Sequence, residues 1–230
     1  MSKFKFTATL TLAASLLLGA CSDGYDESND SYANFRLDVV TCLGINNSAG
    51  AEFEYLGRND STAVRLQSAL TTLPSGVVAG KRVLLRYKVL DRQLEGGNPG
   101  ARSIGTYRCT AIVTDTVRNG QAPQWAATDA LKLRSLWRTG PYINLRSQVE
   151  VSTRARQLRL VADATTLNAD TVECHLVHRL MDADTTYYWR DCYGSFFAGN
   201  ITGKPSCRVL RVWVNDCVKP DIKYYDFKIK

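Results

Sequence analysis

Two histidines, His175 and His178, are the only imidazoles in the 230-residue chain, and seven cysteines are its only thiols. Any Ser or Cys triad would have to take one of those two histidines as its base. They stand three positions apart on a stretch that reads as a strand, so they point to opposite faces and cannot grip one metal ion together. The sequence holds no G-x-S-x-G elbow, H-E-x-x-H helix, P-loop or G-x-G-x-x-G turn. Carboxylate pairs for glycoside hydrolysis are defined by distance in space, and nothing in the run of acids nominates one. The residues therefore nominate no catalytic group, no metal ligand and no cofactor. The reading is non-enzymatic, with a secreted hydrolase as the remote alternative.

Cys21 is the exception, because its context specifies a chemistry. Lys3 and Lys5 form a short positive segment, and Phe6 to Leu18 is apolar or small apart from isolated Thr and Ser, as in a secretory leader. The apolar core is shorter than the ~20 residues a bilayer-crossing helix requires. Leu18 breaks the small-residue rule of ordinary signal peptidase, whereas Leu18-Gly19-Ala20-Cys21 resembles the bacterial lipobox. In that motif the cysteine thiol takes a diacylglycerol, and its freed amine takes a further acyl chain. Each buried methylene contributes ~0.8 kcal/mol, so two or three chains hold a protein on a membrane where one does not. Cys21 is thus the expected lipid attachment site, and residues 1–20 the expected signal peptide.

Without the leader, 210 residues remain with 27 basic against 22 acidic side chains, or +5. Such a balance is compatible with polyanions and equally with a solvated surface. Ser22 to Ser31 is polar and acidic, with Asp23, Asp26, Glu27 and Asp30 and no apolar periodicity, so residues 21–33 read as a flexible tether. Acids directly after the lipidated cysteine also resemble the surface-export signal of Bacteroidota lipoproteins. The expected address is the outer membrane, lipid-anchored, facing the periplasm or the cell surface.

Beyond the tether, short runs with period-two alternation are punctuated by turns, and helical spacing is nearly absent, so the fold class is all-β. Phe35, Leu37 and Val39 alternate with Arg36 and Asp38. Ala51 to Leu56 and Thr62 to Leu66 flank the turn-forming Gly57 to Ser61. Lys81 to Leu90 sets Val83, Leu85, Tyr87 and Val89 against Arg82, Arg86 and Lys88, with Leu84 out of place on the polar face. A loop at Gly96 to Gly100 precedes Thr106 to Thr114. Five short strands in about eighty residues point to a small OB-like barrel over 34–118.

Residues 119–130, with Gly120, Pro123 and Trp125, read as a linker. A second unit over 131–230 alternates at Tyr142 to Ser152 and continues through Gln157 to Val161, Thr171 to Leu180 and Thr185 to Asp191. Met181 to Asp184 is expected to turn a hairpin between the last two of these. Cys207 to Asn215 and Ile222 to Lys230 complete what the turn spacing predicts to be a β-sandwich.

This order of parts resembles that of NigD-like lipoproteins. The residues that carry the resemblance are Gly80-Lys81-Arg82-Val83-Leu84-Leu85-Arg86-Tyr87, then Tyr142-Ile143-Asn144-Leu145, then His175-Leu176-Val177-His178-Arg179, with Lys223 to Lys230 closing the chain. The resemblance implies an N-terminal OB-like domain, a C-terminal sandwich and a role of the bacteriocin-immunity or envelope-accessory kind. The expected partners are the membrane, through the N-terminal lipid, and a protein or glycan. The alternative is oligosaccharide or polyanion binding on a barrel face made by Arg82, Arg86, Lys88 and Arg92. Nucleic acid is disfavoured because Tyr87 points away from that face.

The remaining six cysteines divide evenly between the two units, and exported proteins meet oxidising machinery, so intradomain disulfides are expected. Cys42 and Cys109 would join two strands of the barrel. Cys207 and Cys217 bracket an extended segment and lie too far apart for the ~5.5 Å of a bridge. Cys192 with Cys207 plus Cys174 with Cys217 is preferred over a single Cys174–Cys192 bridge across the Met181 hairpin.

Overall fold

The computed structural model describes residues 35–46, 49–58, 62–91, 95–96, 100–121, 128–151, 156–180, 188–221 and 223–229. Cys21, the expected signal peptide and tether, and Arg92 lie outside them. The all-β expectation holds: among the described residues fourteen strands carry the fold, with one short helix, α1 (Gly199–Thr202), and a 3-10 turn at Ala164–Thr166. Among the described residues no helix is long and apolar enough to cross a membrane.

The first five strands are β1 (Arg36–Asn46), β2 (Gly50–Tyr55), β3 (Val64–Ser68), β4 (Arg82–Val89) and β5 (Arg102–Ala111). They close into a barrel in the order β1-β2-β3-β5-β4, with β3 and β5 parallel and every other pair antiparallel. This is the five-stranded closure of an OB fold, which leaves few backbone edges unpaired. Alternation drives it. Val40, Cys42, Phe53, Leu66, Val83, Leu85, Tyr87 and Ile104 point inward and form one buried core. Gly50 makes the β1–β2 corner possible: its φ of 85° is left-handed, and a Cβ there would run into the carbonyl oxygen of Ser68.

The sandwich follows. Its strands are β6 (Val113–Thr116), β7 (Arg118–Gly120), β8 (Lys132–Thr139), β9 (Tyr142–Val151), β10 (Arg156–Asp163), β11 (Thr171–Leu180), β12 (Tyr188–Phe197), β13 (Val209–Trp213) and β14 (Tyr224–Lys228). One sheet runs β14-β13-β11-β10-β7 and the other β6-β12-β9-β8. Between them lies a core that includes Leu131, Ile143, Leu145, Leu160, Val172, Phe196, Ile201 and Leu210.

Three sequence expectations are corrected here. The stretch read as Thr106 to Thr114 is two strands: β5 stays in the barrel, while β6 pairs in parallel with β12 and β7 in parallel with β10. The chain therefore passes from barrel to sandwich at Ile112, ahead of residue 118. Two strands of three or four residues that pair in parallel at sheet edges carry too little alternation to be read. Secondly, β11 and β12 belong to opposite sheets and are not the paired strands of a hairpin; residues 181–184, read as its turn, lie outside the described residues. Thirdly, β8 was not anticipated. Its ladder with β9 shifts register between Leu133 and Ser135, and the extra residue lets both Leu133 and Leu136 reach the core, which destroys the period-two signature.

Candidate functional site

Arg82, placed by sequence on a solvated positive face, is 3% exposed. The correction follows from what alternation can and cannot say. Arg82 does point out of the barrel, but the outer surface of the β6-β12-β9-β8 sheet covers the barrel wall at that level. Its guanidinium donates from Nη2 to the carbonyl of Val39 at 2.9 Å and to Thr139 Oγ1 at 3.3 Å. Nη1 donates to Thr41 Oγ1 at 3.1 Å and Nε to Ser195 Oγ at 3.3 Å. The charge also sits 4.5 Å from the Tyr142 ring centroid, a cation–π distance. Asn144, fully buried, ties the sheet side together: its Nδ2 donates to Thr139 Oγ1 at 2.8 Å and its Oδ1 accepts from Ser195 Oγ at 2.8 Å. Burial pulls the Arg82 pKa down to about 10, with Tyr142 and Glu54 opposing, so the group stays protonated at neutral pH. Arg82 is the pin between barrel and sandwich.

Beside this pin the two units part to leave a cleft of about 220 Å³. Leu37, Tyr55, Leu56 and Leu84 wall it on the barrel side, and Ser135, Trp137 and Tyr193 on the sheet side, with Arg58 and Arg146 among the lining residues. Leu84, anomalous on a polar strand face, is explained by this position. Arg146 lies 5.7 Å from the Tyr193 ring centroid and 3.5 Å from Asp191, so the cleft opens onto a sheet face of alternating aromatic and charged groups. Farther out on that face Lys132 stands 3.9 Å over Trp189. Among the described residues Asp38 is the one acid lining the cleft, and its carboxylate accepts from Tyr87 Oη at 3.0 Å. The cleft can offer aromatic surface, hydrogen bonds and positive charge.

The other sequence-nominated residues are scattered. Arg86 is exposed and Lys88 half-buried, both on the barrel wall beyond the cleft. His178 faces the sandwich core while His175 stacks on Trp213 on the outer face, with centroids 6.0 Å apart, so the opposite-face expectation holds. Among the described residues no cluster of His, Cys, Asp and Glu could hold a metal ion.

No disulfide is seen among the six described cysteines. Cys42 and Cys109 do share the barrel core, and burial together with the neighbouring Cys42 raises the Cys109 pKa to about 11. Cys174 and Cys192 sit on opposite sheets, which removes the hairpin bridge. Of the preferred pair, Cys174 is buried and Cys217 exposed.

The sequence matches no protein-family model and no curated protein. Solved structures do match. A NigD-like immunity protein from Bacteroides caccae superposes with a TM-score of 0.55 at 17% identity, over 84% of this chain and 91% of that one. The chain has the fold of a NigD-like protein. A protein of unknown function from Bacteroides vulgatus gives 0.63 at 14% identity, over 84% and 89% of the two chains. A protein named a candidate lipoprotein from Bacteroides fragilis gives 0.58 at 14% identity, over 85% and 98%. Within this NigD-like fold, sequence reasoning missed Trp137, Tyr193 and Arg146. They lie on three strands, one of them hidden by a bulge, and only the misplaced Leu84 signalled that something covers the barrel wall.

Proposed function

We propose that the protein is an exported, lipid-anchored, non-enzymatic interaction module of the bacterial envelope that takes a protein or glycan partner in the cleft between barrel and sandwich. The anchor is Cys21, and the expected site is the outer membrane. The observation that carries this reading is the make-up of the cleft: Tyr55, Trp137 and Tyr193 with Arg58 and Arg146, around a concave surface. Trp, Tyr and Arg supply most binding hot spots, because they bury large areas and keep a polar handle. The likeness in fold to a NigD-like immunity protein and a candidate lipoprotein supports a role of the immunity or accessory kind.

Substituting Trp137→Ala together with Arg146→Ala is expected to weaken partner capture by 2 kcal/mol or more, roughly thirtyfold. Pull-down from intact cells checks it, with the amount of membrane-bound protein as control. Undiminished capture by the double variant, or hydrolase activity in the purified wild type with no partner recovered, would sink the reading.

A further inference from the structure

The outer wall of β1, β4 and β5, beyond the part that the sandwich covers, is unusual in its charge. Register places Leu37 opposite Arg86, and Arg86 opposite Arg108, in one row across the three strands. Arg86 and Arg108 are like charges directly cross-strand, an arrangement that destabilises a sheet, and among the described residues neither makes an ion pair. Among the described residues of these strands none on this wall is acidic. The only acid in the three strands, Asp38, has the inward parity of Val40 and is bonded to the buried Tyr87.

The apolar groups on the same wall are also out of place for a solvated surface. Register between β4 and β5 slips at Arg86/Tyr87, and Tyr107 is the extra residue, 62% exposed. Its ring meets Phe35 edge-on at 4.1 Å, and Arg86 lies 5.3 Å from the Phe35 centroid. Leu37 is 50% exposed. Cations interleaved with an exposed Tyr and Leu are the composition of a membrane–water interface, where phosphates take the charge and amphipathic rings sit at headgroup level.

We propose that this wall is a docking face for an anionic lipid surface, with Arg86, Lys88 and Arg108 meeting headgroup phosphates and Leu37 and Tyr107 entering the interfacial layer. The proposal rests on the anchoring of the chain at Cys21. Thirteen residues separate Cys21 from Phe35, so the wall begins at most about 50 Å along the chain from the lipid. At such tether lengths the effective concentration of membrane is high enough for a weak site to be occupied. Docking there fixes which way the adjoining cleft faces.

The test uses the unacylated mature chain, residues 21–230 with Cys21→Ser, and vesicles of phosphatidylglycerol and phosphatidylcholine in equal parts. The expected result is co-sedimentation that falls with added salt, is absent on phosphatidylcholine alone, and weakens about tenfold or more in Arg86→Glu/Arg108→Glu. A melting curve confirms that these exposed substitutions leave the fold intact. Equal sedimentation of wild type and double variant, equal binding to phosphatidylcholine, or binding of a single-stranded oligonucleotide in place of vesicles overturns the proposal. In cells the acylated double variant stays in the membrane fraction if the anchor is as described. Failure on vesicles with intact anchoring therefore counts against the face alone, and loss of an acylated wild type from membranes counts against the reading beneath it.

Discussion

Replacing Arg82 by methionine is expected to lower the unfolding free energy by about 3 kcal/mol or more, a large share of what a domain of this size possesses. Methionine fills much of the same volume, so the loss comes chiefly from the hydrogen bonds. Thr41, Thr139, Ser195 and the Val39 carbonyl, all on buried residues, each lose the guanidinium donor. Hydrogen bonds to a charged group contribute about 1.5–3 kcal/mol, and a group stranded in a buried site costs about 1–3 kcal/mol; Thr139 and Ser195 keep their bonds to Asn144, so the loss falls chiefly on Thr41 and the Val39 carbonyl. Arg82→Lys retains the charge but not the planar fork that reaches both walls, so it is expected to lose an intermediate amount. Urea unfolding checks both. A loss under about 1 kcal/mol for the methionine variant would mean that the polar pin contributes little.

The second large effect concerns location. On the proposed reading Cys21 carries the acyl chains, and since each methylene contributes ~0.8 kcal/mol of membrane affinity, Cys21→Ser is expected to release the protein from membranes. Detergent partition and fractionation check it. Persistence of the variant in the detergent phase would contradict the anchor. The docking wall on the barrel gives only reversible, salt-sensitive binding and would be separated from true anchoring by a high-salt wash.

Alternation reads out which side of a strand faces a core, and in that respect the sequence was transparent. Val83, Leu85 and Tyr87 are buried inside the barrel, and Ile143, Leu145 and Val149 inside the sandwich. What alternation cannot read is the covering of the other side. Arg82 and Arg86 share a face of β4, yet one is sealed beneath the sandwich and the other is in water. The only local hint was Leu84 between them. Long-range pairing was similarly opaque. The sequence neighbours β11 and β12 suggested a hairpin, but the chain crosses from one sheet to the other there, and residues over one hundred apart, Arg82 and Ser195, meet instead. Parity of cysteines does not by itself specify bridges, because burial in an apolar core is sufficient reason for a cysteine to be inside. Cys42, Cys109, Cys174 and Cys207 all have that placement.

The central claim, that the cleft is where the partner binds, is tested most directly by placing a photo-activatable phenylalanine analogue at single positions in the acylated protein and irradiating intact cells. The account predicts one discrete cross-linked species from Trp137 and from Tyr193, and none from Tyr224, an exposed aromatic on the opposite sheet of the sandwich. Cross-linking from Tyr224 with none from Trp137 and Tyr193 would contradict it.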